Sequence, residues 1–516
     1  MYAAGTAAET PDKPAIVMAG SGETVTFGEY EARANRVAHL FRDLGLRRGD
    51  HVAIVMENHP RMLEIEGGAE RTGLYYTVVN SYLRAEELAY IVNDSRARVL
   101  VASAATREAA HAAAADCPDV DLFLDVDIEE PDGPFRPYGQ AVADRPSSPV
   151  PDEELGAAML YSSGTTGRPK GILRPLPVGH PGEPLPVMAF VQQVLFAMRP
   201  GMVYLSPAPM FHSAPQAAVA GALRLGATSI VMERFDPEFY LQLVERHRVT
   251  HSQVVPTMFS RMLKLPEDVR RRYDTSSLEV VIHAAAPCPV PVKQAMIDWF
   301  GPVLREYYGA TEANGFTVNT SEEWLAHPGT VGRAVHGVVE IRDDDGALLP
   351  VGEPGTVWFR GATNFEYFGA PEKTASSRDA TGEASTVGDI GHLDADGYLY
   401  LTDRKHFMII RGGVNVYPQE TENVLVTHPS VMDAAVIGVP DPDLGEEVKA
   451  VVQPMDGVAP GADLERELQA FCREHLAAVK CPRSIDFVDE LPRLPTGKLY
   501  KTQLVAQYRD AATTTQ

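Results

Sequence analysis

Tyr161-Ser162-Ser163-Gly164-Thr165-Thr166-Gly167-Arg168-Pro169-Lys170-Gly171 follows directly on the apolar run GAAML, Gly156 to Leu160. Its four Ser/Thr hydroxyls, three glycines and two cations offer phosphate oxygens exposed backbone N–H groups, side-chain donors and positive charge. It departs from the Walker pattern, because Lys170 follows Pro169 and precedes Gly171. A flexible polar turn would share the composition but has no need of this order. A strand that feeds such a loop points to an α/β nucleotide enzyme.

Outward from this loop the chain keeps the same grammar. Short β-branched runs alternate with helical patterns: HVAIVM from His51, ARVLVAS from Ala97, the Ala-rich stretch Ala104 to Ala115, then VDLFLDV from Val120. The alternation recurs at Thr228 to Met232, Glu279 to His283 and Val303 to Tyr307, with the amphipathic Pro237 to Arg248 among them. This predicts βα units and doubly wound sheets. Pro175 to Pro186 holds five prolines and reads as a loop, and Val187 to Met198 reads as a helix after it. Asp394-Ala395-Asp396-Gly397 is a turn between two apolar runs, so Asp389 and Arg404 are expected to meet at the open end of one hairpin. Beyond Arg404 the runs change character, with GGVNVYP, DAAVIGV, VKAVVQP and the acidic amphipathic Leu464 to Val479. The expected architecture is α/β. A large N-terminal domain with doubly wound mixed sheets, residues 1–403, precedes a small mobile C-terminal α+β domain, residues 404–516.

Composition narrows the function. With 46 Lys+Arg against 70 Asp+Glu the net charge is −24, so the long-range field repels nucleic acid and anionic membrane, and an anionic substrate needs a locally basic pocket. The four cysteines, Cys117, Cys288, Cys472 and Cys481, have no CxxC spacing, which reads as reduced thiols in a cytoplasmic protein. The start of the chain lacks the pattern of a signal peptide, and no run reaches the ~18 apolar residues of a membrane span.

Further segments carry chemistry. In Tyr308-Gly309-Ala310-Thr311-Glu312 a ring, a tight turn, a hydroxyl and a carboxylate follow an apolar strand, where doubly wound sheets bind ligands. Ala285-Ala286-Pro287 offers small residues that let backbone approach a flat ligand. Asp389 is suited to accept two vicinal hydroxyls; a surface ion pair with Arg404 is the plainer alternative. Lys498, in Pro495-Thr496-Gly497-Lys498, is a long cation on a Pro/Gly loop.

The loop at Tyr161, with these segments in the same order over roughly residues 25 to 503, resembles the adenylate-forming superfamily of acyl-CoA synthetases, peptide-synthetase adenylation domains and beetle luciferases. The resemblance is greatest to AMP-forming fatty-acyl-CoA synthetases of bacterial type. It implies that Ser162, Ser163, Gly164, Thr165, Thr166, Gly167 and Lys170 hold phosphates, and that Ala285, Ala286, Pro287, Tyr308, Gly309 and Ala310 enclose adenine. Thr311 then contacts the α-phosphate, Glu312 helps hold Mg²⁺, and Asp389 holds the ribose with Arg404 nearby. Lys498 bridges the carboxylate and the α-phosphate during adenylation. His212, in PMFHS, matches an aromatic position that gates the acyl site; a structural histidine is the alternative. Arg411, Gly412 and Gly413 match a segment that forms the CoA channel. His406 stands at the hinge.

Three departures from the family accompany the match. Gly382 to Gly388 lacks the usual aromatic and Thr before Gly-Asp. Arg411 and Val414 replace the common Ser and Glu, so that Arg411 either brings charge toward CoA phosphates or is simply exposed. His406 replaces Asp or Lys, either as a pH-sensitive hinge or as an ordinary polar one. The implied reaction runs in two halves on one site. A carboxylate attacks Mg·ATP to give acyl-AMP and pyrophosphate, then the small domain rotates about His406 and the CoA thiol displaces AMP. The alternatives are an enzyme that loads a carrier protein, and a specialist that uses acyl-AMP without making it. Small residues at Ala214, Pro215, Ala284, Ala310 and Ala313 point to an apolar acid. A homodimer is the commonest assembly for such a protein.

Overall fold

The computed structural model describes residues 1–162, 169–183, 189–362, 364–404, 407–441, 443–493 and 499–514. These pack as two compact units. The first comprises residues 1–254, 271–282 and 364–376, and the second comprises 255–270, 283–363 and 377–516.

In the first unit the apolar runs become a parallel sheet in the order Phe135–Pro137, Leu122–Asp125, Ala97–Ala102, His51–Val55, Tyr75–Val79, Ala157–Ala158. The runs are continuous because every residue of His51–Val55 and Tyr75–Val79 is buried, as in a sheet covered on both faces. The helix Phe27–Asp43 begins at a reciprocal capping box between Thr26 and Glu29, which satisfies two otherwise orphaned N–H groups. A second sheet sets His251–Val254, Val203–Ser206, Thr228–Val231 and Pro14–Met18 parallel, and Thr24–Thr26 closes it antiparallel. Mixed sheets of this kind are what the alternating pattern predicts.

The structure departs from the sequence reading in two places here. GAAML is not one strand: Ala157–Ala158 ends the parallel sheet, while Leu160–Ser162 enters a small antiparallel sheet with Lys170–Leu173 and Glu366–Tyr367. Within the stretch read as a helix from Val187, the described residues form a π-helix at Phe190–Leu195. A buried amide accompanies the wide turn: Gln192 Nε2 donates to Ala217 O at 3.0 Å and lies over Gly221, where a Cβ would come within 2.1 Å of it.

The second unit is mainly antiparallel. Leu304–Gly309, Phe316–Thr320 and Arg333–His336 form one ladder. Val338–Arg342, Gly355–Arg360, Asp389–Leu393 and Leu399–Arg404 form another, with Ala384–Ser385 on its side. Toward the C-terminus, Val414–Val416, Ile409–Arg411, Gly445–Pro454 and Val431–Asp441 make a sheet to which Ser484–Phe487 adds in parallel. Its core gathers Val436, Val448, Ala450, Leu464, Leu468 and Cys472 from both strands and the helix Ala462–His475. No helix among the described residues is long and apolar enough to cross a membrane.

The hairpin read from Asp394 to Gly397 is present, and its register sets Asp389 opposite Arg404. Asp394 closes it. One carboxylate oxygen accepts the N–H groups of Asp396 at 3.0 Å and Tyr398 at 2.8 Å; the other meets His327 Nδ1 at 3.0 Å and Tyr400 OH at 3.3 Å. Burial alone would raise this carboxyl, but the Tyr398 and Asp396 N–H groups and His327 outweigh it and hold it below the usual range. A depressed carboxyl stabilises the fold above the unfolded value near 4, and that contribution fades as pH falls through the folded value. Asp394→Ala is therefore expected to lose about 1–3 kcal/mol at pH 7. Thermal melts across pH check this: the gap from the parent protein should narrow below about pH 4.

Candidate active site

The strand Leu304–Gly309 carries the first cluster, and it extends one turn of the pleat further than the sequence implies. Tyr308 and Gly309 lie within the strand, not beyond its end. Leu304, Glu306 and Tyr308 share one face of it. Tyr308 packs beside Phe359, with ring centroids 6.1 Å apart, and its hydroxyl donates to Asp389 Oδ2 at 2.7 Å. The ring expected to stack on adenine and the carboxylate expected to hold ribose are thus joined directly, although 81 positions separate them. Asp389 is buried at 7% exposure.

After Gly309 the chain makes a tight turn, in which Ala313 N donates to Ala310 O at 2.9 Å and Ala313 takes φ +53°. Thr311 and Glu312 lie in this turn, Thr311 half-buried and Glu312 buried. Asn314 Nδ2 reaches Ser385 O at 3.4 Å, tying the turn to the segment that leads to Asp389. Ala285 has φ +74°, a left-handed conformation that costs a non-glycine residue energy and recurs where backbone faces a ligand. Ala286 and Pro287 follow it, half-buried and exposed.

The same face of the strand carries, at Glu306, a buried group that the sequence did not reveal. Lys293 Nζ donates to Glu306 Oε2 at 2.6 Å and to Asn319 Oδ1 at 3.1 Å, and sits 5.0 Å from the Trp324 ring centroid. Asn319 also donates to Thr330 O at 3.2 Å. Burial raises the Glu306 carboxyl even with Lys293 and Asn319 pulling it down. Burial, then Lys293, drives His283 well below its ordinary value, so it stands neutral. The only signals in the sequence were a lysine inside the apolar helix Val290–Phe300 and a glutamate on the inward parity of a strand.

In the first unit, the strands flanking the glycine-rich loop pair antiparallel with Ser162 opposite Lys170. Ser163, Gly164, Thr165, Thr166 and Gly167 lie outside the described residues. The flanks are pinned: Tyr161 OH donates to Asp94 Oδ2 at 2.6 Å, and Tyr90 OH to Pro169 O at 3.1 Å. His212 is the N-cap residue of the helix Ser213–Arg224, its ring 4.3 Å from that of Phe211. A second residue missed from sequence, the buried Asn58, holds this segment. Its amide donates to Ala208 O at 3.0 Å and Met232 O at 2.8 Å, and its oxygen accepts from Met210 N at 2.7 Å.

Near the C-terminus, Gly412 and Gly413 form the two-residue loop of a hairpin with Arg411 opposite Val414, and both have positive φ, +57° and +82°. A primed turn requires that by itself. Arg411 is neither simply exposed nor uncommitted: its Nε lies 2.8 Å from Glu447 Oε1, and Nη1 donates to Val479 O at 3.3 Å. His406 and Lys498 lie outside the described residues, and Arg404 is placed by its backbone register alone.

A ring that orients a carboxylate by one hydrogen bond can be tested without disturbing the ring. Tyr308→Phe is expected to raise the KM for ATP about three- to tenfold with kcat within about twofold, corresponding to the ~1 kcal/mol of such a bond. Steady-state kinetics at varied ATP checks this; an unchanged KM would separate Tyr308 and Asp389 from nucleotide binding.

The AMP-binding enzyme family matches residues 4–368, and the AMP-binding enzyme C-terminal domain matches residues 420–498. The chain is 32% identical over 514 residues to the long-chain-fatty-acid–CoA ligase FadD13 of Mycobacterium tuberculosis strain H37Rv, covering 97% of this chain and 96% of that protein. It is 34% identical over 488 residues to a feruloyl-CoA synthase of an Amycolatopsis species, covering 94% of each. Its fold superposes on the anthranilate CoA ligase AuaEII in complex with anthranoyl-AMP with a TM-score of 0.83 at 26% identity, covering 98% of this chain and 97% of that one. The chain belongs to the AMP-binding, adenylate-forming enzyme family, and its enzyme class is that of the ATP-dependent, AMP-forming acid–CoA ligases.

Proposed function

We propose that this enzyme activates an apolar carboxylic acid as its acyl-adenylate and passes the acyl group to CoA. The observation that carries the reading is the hydrogen bond from Tyr308 to Asp389, which sets a stackable ring and a buried carboxylate side by side as adenosine needs. Thr311 contacts the α-phosphate. Glu312, a carboxylate beside a hydroxyl, offers the oxygen chemistry suited to the Mg²⁺ of Mg·ATP, which lowers the charge on the phosphates when bound. The Ser162 to Lys170 loop holds the leaving pyrophosphate, and Lys498 neutralises charge as the carboxylate attacks. Residues 404–516 then turn about His406 relative to residues 1–403, taking Lys498 away and presenting the Gly412–Gly413 hairpin to the thiol.

No covalent nucleophile is needed in this scheme. Burial pushes the Cys288 thiol well above its usual range, which keeps it inert. The four cysteines are free, which supports a cytoplasmic setting. The apolar acid is supported by the small side chains from Ala284 to Ala286, and by relatives named for a long-chain fatty acid and for a feruloyl group.

The test is mass spectrometry of products from Mg·ATP, CoA and pooled medium-chain, long-chain and aromatic acids. Acyl-CoA with AMP and pyrophosphate is expected from the parent enzyme. Lys498→Ala should lose acyl-AMP formation yet still convert supplied acyl-AMP to acyl-CoA. Acyl-CoA appearing only when acyl-AMP is supplied to the parent enzyme would contradict adenylation, and transfer to a holo-carrier protein in preference to CoA would reassign the acceptor.

A further inference from the structure

Lys264 caps the C-terminus of the short helix Pro256–Leu263, where a cation is favoured by the helix carbonyls. Its ammonium does not remain in solvent. Nζ donates to Val431 O at 2.6 Å and to Met432 O at 2.9 Å. These two carbonyls can both turn to it because the ladder between Val431–Asp441 and Gly445–Pro454 slips register between Val431 and Asp433, and a bulge re-aims the backbone there. The contact takes a charge out of water: burial pulls Lys264 down to about 8, with Asp433 acting in the opposite sense.

The next residue continues the connection. Asp433 receives the Arg493 guanidinium through two of its nitrogens, with Nη2 to Oδ1 at 2.5 Å. Arg493 and Leu499 in turn pair across an isolated bridge, and they flank residues 494–498, which include Lys498. Leu499 packs against the small core of Ala435, Ile437, Val451, Leu491 and Leu504. A line of contacts thus runs from the end of the helix Pro256–Leu263, through one bulge and one ion pair, to both ends of the Lys498 segment.

We infer that Lys264 is a positioning residue for the adenylation half-reaction: it anchors the Val431–Met432 bulge and, through Asp433 and Arg493, sets the base of the segment that carries Lys498. The inference builds on the role proposed above for Lys498. Lys264 touches neither nucleotide nor acid in this account, so its removal acts on the turnover of one half-reaction and not on substrate affinity.

Lys264→Met keeps the length of the side chain and strands no opposite charge at the contact, so the fold should persist, as a melt within a few degrees of the parent would show. Single-turnover assays then separate the halves. Lys264→Met is expected to slow acyl-AMP formation about tenfold, with the KM for ATP and the rate of thioester formation from supplied acyl-AMP each within about twofold. Asp433→Asn should give the same selective loss, and Lys264→Arg, which can still donate to both carbonyls, should recover most of the adenylation rate. Equal loss of both half-reactions, loss of thioester formation alone, or no change in either would overturn the inference. A parent enzyme that makes no acyl-AMP, or a Lys498→Ala variant that still makes it, would overturn the Lys498 reading and this inference with it. An active parent, an inactive Lys498→Ala and an unaffected Lys264→Met would overturn this inference alone.

Discussion

A lysine and a glutamate buried together on one face of the strand Leu304–Gly309 constrain the part of the second unit that carries Tyr308. Lys293 and Glu306 are almost wholly shielded from solvent, so each is tolerable only with the other in place. Losing one partner of such a pair typically costs about 3–5 kcal/mol, whereas a well-packed apolar pair would have served stability as well. What the charges add is register. A strand that slipped by one residue would turn Glu306 away from Lys293 and Asn319, so the face of the strand is fixed, and with it the side from which Tyr308, two residues on, emerges. Tyr308 then finds Asp389 because the Asp394 turn fixes the other hairpin.

The same device recurs where the chain is irregular. Segments expected to meet substrate cannot be held by ladders along their whole length, so single buried polar side chains hold them. Asn58 holds the approach to His212 through Ala208 and Met210 and ties it to Met232 O, and Tyr161 with Asp94 fixes one flank of the glycine-rich loop. Arg411 is bound to Glu447 within its own sheet, and Gly412 N donates to Leu444 O at 2.8 Å, so both hold the start of the Gly412–Gly413 turn. Rigid supports under small, glycine-rich or hydroxyl-rich loops suit chemistry that depends on charge neutralisation by preset groups.

The sequence revealed most where a physical requirement is local. Alternating runs predicted the mixed sheets, and the turn at Asp394 predicted that Asp389 and Arg404 would lie opposite each other. The loop after Tyr161, together with the other motifs in the same order along the chain, carried the family resemblance. What escaped was non-local or depended on one partner's position. Lys293 and Glu306 are 13 positions apart on different elements, and Asn58 and Met210 are 152 apart, with nothing in either local pattern to pair them. The π-helix at Phe190–Leu195 escaped because its periodicity differs little from that of an α-helix, and the buried Gln192 amide that accompanies it bonds to a helix more than twenty residues away. The positive φ of Gly412 and Gly413 is required by the hairpin turn itself, so their presence in the sequence reports the turn whether or not the tip meets CoA.

With a net charge of −24, this protein must neutralise triphosphate and carboxylate within one small region, and in the proposed reaction that brings the two together so that a carboxylate oxygen joins the α-phosphorus. That claim is tested most directly by supplying a carboxylic acid labelled with ¹⁸O at both carboxylate oxygens, with ATP and CoA, and by weighing the products. If the carboxylate attacks the α-phosphate and the thiol then displaces AMP, the AMP released carries one ¹⁸O and the pyrophosphate carries none. Label in pyrophosphate or free phosphate, or unlabelled AMP beside acyl-CoA, would contradict it.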